Sequence, residues 1–262
     1  MTVVRKLTYR PDPADSRDLH FEDMPMRLSI AAVSGDEYLI PAGGVPMEDQ
    51  IDLGSCTAFG TLNAVAVRRA AMGLTHVPLS HLDLYAKSRI RDDGVAGLCV
   101  DEGSYARSAL WVCNKTGVAA DALWPYDTSK FKERAPLAAL EDGYDHKITG
   151  YYRITQTGKA RADAIEIAVR ANHPVVFGTQ VGQPFVNGYD STGNKNVVWN
   201  APARPVGGHC MCIDGVRLNS AGKREFRVRN SWGISWALGG FAWLSEEYIT
   251  DAWSGDFWVM TL

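Results

Sequence analysis

The chain has 262 residues, 46% of them hydrophobic and 22% charged, with a formal net charge of −3. That size allows one large domain or two lobes sharing a cleft, and the composition is that of an ordinary globular protein. The small net charge gives no electrostatic reason to expect nucleic acid or an anionic membrane as partner.

The opening stretch, MTVVRKLTYRPDPADSRDLHF, has no apolar signal-peptide core, and no later stretch is long and apolar enough to span a bilayer. Five cysteines cannot all pair. Reduced thiols in a cytoplasm are therefore expected, with delivery by a route that needs no signal peptide left open. Residues 1–35 are polar and proline-marked, without a clear period, and read as an extension on or near the body.

The run from Ser55 to Ala71 reads as a buried helix, entered through Gly54 and Ser55 and stopped at Gly73. A second helix fits SHLDLYAKSRI, where Ser80 and Asp83 have capping-box spacing. A third runs from Ser104 as N-cap to Gly117, and a fourth from about Lys159 to Ala171. After Pro174 the texture changes to short β-branched or aromatic runs: PVVFGTQV, GHCMCIDGV, REFRVRN, GGFAWL and DFWVMTL. Helices first and strands later predict an α+β protein with two lobes and a cleft between them.

Cys56 begins the first of these helices. Unsatisfied N–H groups and the helix dipole favour a thiolate there, although a small buried thiol would occupy the same place. A nucleophilic cysteine needs a base, and the base needs an orienting group. His209 and Asn230 offer both, in that chain order.

The blocks QIDLGSCTAF, GGHCMCIDGV and VRNSWGISW, the last followed by GGFAWL, resemble the three signature blocks of the papain-like cysteine peptidases. DEGSYARSALWVCNKTGVAADALWPYD resembles one wall of that family's substrate cleft, and YRPDPADSRDLHF resembles the leader of its bacterial members. The resemblance, to a bacterial or phage-like branch, runs with gaps from about residue 8 to the C-terminus. It implies a papain-like fold, with a helical lobe and a β-barrel-like lobe. It also implies peptide-bond hydrolysis of a peptide or protein substrate through a Cys56 thioacyl intermediate. His209 would be base and then acid, and Asn230 would orient the imidazole. Gln50, with the Cys56 N–H, would hold the oxyanion. Trp232 would shield the His–Asn bond, with Trp236 as a second aromatic wall. Gly103, Ser104, Tyr105, Ala106, Gly208 and Trp232 would meet the substrate. Tyr105, with Ala106, would line the pocket for the residue two before the scissile bond, suggesting an apolar side chain there. Leu53 stands where secreted members carry a half-cystine, and Thr57 replaces a bulky aromatic on the leaving-group side.

The expected division is an extension over residues 1–35, a mainly helical lobe over 36–145 and a mainly β lobe over 146–262. The extension is long enough to cross the cleft, or equally to strap the back of the molecule. Such a cover would make the chain a zymogen. No metal and no cofactor are expected. Cys210 and Cys212 would face away from His209 on a strand, at spacings that fit no zinc pattern. A Cys99–Cys113 approach stays open. So do a catalytically silent binding protein and a Cys-His-Asn amidase or transpeptidase.

Overall fold

The computed structural model describes residues 4–25 and 35–262. The parts of the expected extension at residues 1–3 and 26–34 lie outside the described residues. In chain order the elements are β1 (Glu37–Leu39), α1 (Cys56–Ala71), α2 (His81–Asp93), α3 (Ala106–Lys115), α4 (Leu137–Asp142), β2 (Gly150–Ile154), α5 (Gly158–Arg170) and β3 (Val175–Gly182). There follow α6 (Gln183–Asn187), β4 (Val198–Trp199), β5 (Pro205–Leu218), β6 (Arg224–Arg229), β7 (Phe241–Ser245), α7 (Glu246–Thr250) and β8 (Ser254–Thr261). The strands form one sheet in the order β2-β8-β3-β5-β6-β7-β4, with β1 also paired to β5.

Alternation along the central strands divides the interior. Val175, Phe177, Met211 and Ile213 join a core with α5 and the aromatic residues Phe185, Trp232 and Trp236. Val176, Cys210, Cys212 and Trp258 join a second core with α1, α2 and α3. The approach of α1 to β5 is close. A Cβ at Gly60 would lie 3.2 Å from Cys210 Sγ and 3.3 Å from the Met211 nitrogen, so the helix carrying Cys56 is seated on the strand carrying His209.

Two expected caps differ in detail. Ser80 Oγ accepts the Asp83 N–H at 3.1 Å, but the Asp83 carboxylate turns to Lys87 at 2.7 Å and the Ala119 N–H at 2.9 Å. The reciprocal half of the capping box is therefore not made. The third helix starts at Ala106 with Tyr105, not Ser104, at the N-cap. Asp92 accepts the Tyr105 N–H at 3.1 Å, while the Ser104 carbonyl accepts from the Arg10 backbone at 3.5 Å.

The extension is tied down at both ends of its described run. Phe21 and Met24 are buried in the first core, and the Leu19 carbonyl accepts the Arg153 N–H at 2.7 Å. Ahead of them in the chain lies an ionic clasp. Arg107 grips Asp18 through two nitrogens at 2.8 and 2.6 Å and the Pro13 carbonyl at 2.7 Å. Arg153 bonds Asp18 at 2.9 Å and Asp256. Asp12 accepts from the Arg107 N–H at 3.1 Å and from Trp258 Nε1 at 2.8 Å.

Phe177 and Phe257 stack with centroids 5.3 Å apart in the first core, and both are buried. Phe177→Ala is expected to lower the unfolding free energy by about 3–5 kcal/mol, read by urea denaturation. A loss below ~1 kcal/mol would contradict this packing.

Candidate active site

Cys56 is the first residue of α1, 1% exposed, and its N-cap Ser55 makes no side-chain cap bond. The free N–H groups of the first turn are thus left for the site. N–H groups of Cys210, Thr57 and Cys56 itself meet the sulfur and favour its thiolate, but burial outweighs them and pushes the thiol up to about 12.

His209 lies on β5, wholly buried. Its Nε2 is 2.7 Å from Asn230 Oδ1, which also accepts the Ser231 N–H at 2.8 Å. An oxygen already accepting one N–H requires Nε2 to be the donor, so Nε2 carries the ring proton and Nδ1 keeps the lone pair. Among the described residues Nδ1 has no hydrogen-bond partner. Burial lowers the His209 pKa to about 4, against the raising effect of the Asn230 bond. Trp232 stacks on the imidazole, centroids 4.4 Å apart and planes at 25°, and Trp236 meets Trp232 edge-on at 5.3 Å. These rings keep water from the His–Asn bond.

Gln50 is buried beside Asn230's neighbour. Its Oε1 accepts from Ser231 Oγ at 2.6 Å, and its backbone N–H donates to the Ser231 carbonyl at 2.8 Å. One amide hydrogen goes to the Leu53 carbonyl at 3.0 Å, leaving the second for an incoming oxygen. Tyr126, in the PYD turn, donates to the Gln50 carbonyl at 2.9 Å and lies 2.8 Å from Ser55 Oγ. One side chain thereby ties the Gln50 loop to the start of α1. Neither Ser231 nor Tyr126 has a task legible in its own stretch of sequence. Their side chains act on loop backbone and on another side chain, which spacing does not reveal.

The remaining residues singled out from sequence line a groove, and the extension lies in it. The Thr8–Arg10 segment makes parallel bridges to Gly208 and to Tyr105. The Tyr9 N–H donates to the Gly208 carbonyl at 3.2 Å, and Thr8 Oγ1 donates to the Gly54 carbonyl at 3.1 Å. Gly103, at φ +75°, lies so close to the Thr8 backbone that a side chain there would collide with it. The Arg10 guanidinium covers the Tyr105 ring at 4.2 Å and bonds Asp93 at 2.5 Å. At the other end Arg5 pairs with Asp49 and donates to the Trp232 carbonyl at 3.1 Å. Ala106, the first residue of α3, shares a buried cluster with Tyr9.

Cys210 and Cys212 are buried on the α1 side of the sheet, and all five cysteines are free thiols, Cys99 exposed and Cys113 buried. Cys99 and Cys113 are therefore not bonded to one another.

The family described as papain family cysteine protease matches residues 43–252. An uncharacterized peptidase C1-like protein of Acanthamoeba polyphaga mimivirus is 32% identical over 81% of this chain and 68% of its own. Chymopapain of Carica papaya is 26% identical over 77% of this chain, which spans only 52% of that protein. The solved structure of xylellain, a cysteine protease from Xylella fastidiosa, superposes with a TM-score of 0.80 at 26% identity, covering 99% of each chain. The chain belongs to the papain family of cysteine proteases, hydrolases of peptide bonds, and has their two-lobe α+β fold. No helix among the described residues is long and apolar enough to cross a membrane.

With its ring held neutral by burial, His209 is expected to titrate near 4 in the full-length protein, as is the buried His173. Between about pH 8 and 5 an exposed histidine gains a proton and these two stay largely neutral. Ring resonances followed by NMR across that range check this; a His209 midpoint near 6.5 would contradict it.

Proposed function

We propose that this chain cleaves peptide bonds with Cys56 as nucleophile, His209 as general base and then acid, Asn230 as orienter and Gln50 as oxyanion donor. The observation that carries the reading is the 2.7 Å bond from His209 Nε2 to Asn230 Oδ1 under the Trp232 ring. It fixes the tautomer whose free Nδ1 lone pair can take a thiol proton. The thiolate attacks the scissile carbonyl carbon. The oxyanion takes the second Gln50 amide hydrogen and the Cys56 N–H. The imidazolium then gives its proton to the leaving amine, and the C–N bond breaks. Water, deprotonated by His209, attacks the thioester and releases the acid and the thiol.

The extension acts, in this reading, as a built-in cover that makes the chain a zymogen. Resemblance puts the acyl side of the cleft at Gly103–Ala106 and the leaving-group side near Thr57 and Trp232. The chain runs from Arg5 at Trp232 to Arg10 at Tyr105, opposite to a substrate. A reversed strand fills the groove without presenting a peptide carbonyl in the attacked direction. Its cover also excludes water, which keeps both Cys56 and His209 neutral. We assign the chain to a reducing compartment such as a cytoplasm, a reading that the five free thiols support.

A peptidyl epoxide that alkylates activated cysteine peptidases tests this in the full chain. Labelling is expected at Cys56 alone, slowly in the native sequence and about tenfold faster in Asp18→Ala, which leaves Arg107 and Arg153 without the carboxylate that clasps the extension. His209→Ala is expected to abolish it. Labelling spread over other cysteines, or unchanged by loss of His209, would overturn the assignment. Equal rates in the native and Asp18→Ala proteins would overturn the cover.

A further inference from the structure

We propose that His81 is a positioning residue for Gln50: its protonated ring pairs with Glu48 and holds the oxyanion loop, so peptide hydrolysis weakens as the ring loses its proton. This rests on the peptidase reading above, in which neither His81 nor Glu48 has a task.

His81 is buried at the first residue of α2. The residue before it fixes its place. The Ser80 N–H donates to the Ala119 carbonyl at 2.8 Å, and Ser80 Oγ donates to the Trp124 carbonyl at 2.6 Å. The imidazole stacks on Phe59, centroids 3.9 Å apart and planes at 20°, and Tyr126 stands edge-on to both rings. Phe59 belongs to α1, the helix that Cys56 begins, and Tyr126 ties the Gln50 loop to Ser55. His81 therefore rests against both supports of the site.

Glu48 closes the link. Its Oε2 lies 2.9 Å from His81 Nε2. Its carbonyl accepts the Gly233 N–H at 3.0 Å, and further along the Gln50 N–H donates to the Ser231 carbonyl at 2.8 Å. Residues 48–50 are thus paired antiparallel with 231–233, Asp49 standing opposite Trp232. Whatever holds Glu48 also holds the segment that presents the Gln50 amide.

The contact depends on charge. Among the described residues His81 Nε2 has no hydrogen-bond partner, so its closeness to Glu48 is held by Coulombic attraction, which needs an imidazolium. The groups facing the ring are Glu48 from the oxyanion loop, Asp121 from the helical turn Asp121–Leu123, and Tyr126. Burial raises the Asp121 carboxyl, and the His81 charge works against that rise. Burial also raises the Tyr126 hydroxyl, which stays neutral. The dipole of α2 opposes a cation at its N-terminus, and the two carboxylates offset it. The face of Phe59 adds a further preference for a cationic ring.

The test uses the full chain carrying Asp18→Ala, in which the cover is loosened. Glu48→Gln removes the carboxylate, and His81→Phe keeps a ring on Phe59 that cannot be charged. Each is expected to lower kcat for a peptide about tenfold in mildly acid solution with KM little changed, as loss of a transition-state contact does. Alkylation of Cys56 by iodoacetamide, mapped by mass spectrometry, needs no oxyanion donor and should stay within about twofold. In the parent, kcat should fall across the pH range in which NMR shows the His81 ring losing its proton. That limb should be missing from both variants.

Equal losses of hydrolysis and alkylation would mean a merely structural contact and would overturn the proposal. So would an unchanged kcat in Glu48→Gln, or survival of the limb in both variants. If His81→Phe fails to fold, Glu48→Gln, at a partly exposed side chain, decides alone. If the parent cuts no peptide, the peptidase reading fails instead, and hydrogen exchange judges the pair. The Gln50 and Gly233 amides should then exchange about tenfold faster in Glu48→Gln, and equal rates would overturn the hold on the loop.

Discussion

The site depends on how closely α1 lies against β5. Gly60 has only a hydrogen facing Cys210 Sγ and the Met211 backbone, and that contact brings the first turn of the helix to the strand bearing His209. Everything else in the site is arranged around that seam. Tyr126 ties Ser55 to the Gln50 loop, and Ser231, the residue after Asn230, donates to the Gln50 side chain. A bulkier residue at position 60 would part the two lobes at the place where thiol and imidazole have to meet. The cost would appear as lost geometry before it appeared as lost stability.

Burial has opposite consequences for the two halves of the pair. It raises the Cys56 thiol and lowers the His209 ring, so neither is charged while the cleft is covered. The same Trp232 stacking that protects the His–Asn bond in a working enzyme adds to that neutrality. In our reading the switch from dormant to active requires no rearrangement of the four site residues. Water has to reach a cleft from which the extension has withdrawn, and the first-turn N–H groups around Cys56 then count for more against a smaller burial penalty. The clasp of Asp18, Arg107 and Arg153 lies along the extension beyond the groove, so its strength can be altered without touching the chemistry.

Much of this was legible in the sequence because the relevant signals are local. The helix beginning at Cys56 and the four other strand runs after Pro174 each announce themselves through periodicity. So does β5, although its ladder begins earlier, at Pro205. Short strands with weaker patterns did not. Gly150–Ile154 mixes two tyrosines with an arginine, and Val198–Trp199 is too short for any period. The Ser104 cap was misplaced by one residue because Asp92, from another helix, takes the N–H that fixes where α3 begins. The path of residues 4–10 was beyond local reading. It depends on glycines at 54, 103, 207 and 208, scattered over the chain and bare only where the extension presses on them. Tyr9 and Asp256, 247 positions apart, meet through the same long-range closure.

The central claim is that the extension and a substrate compete for one groove. Hydrogen exchange at the Tyr9 and Arg10 amides, before and after alkylation of Cys56 by a peptidyl epoxide, tests it most directly. Both amides donate to groove carbonyls in the covered form, Tyr9 to Gly208 and Arg10 to Ser104. The account predicts that both are protected before alkylation and lose that protection once the peptidyl group occupies the groove. Full occupancy of Cys56 with the two amides still protected would mean that the extension and the ligand lie in different places, and the account would be wrong.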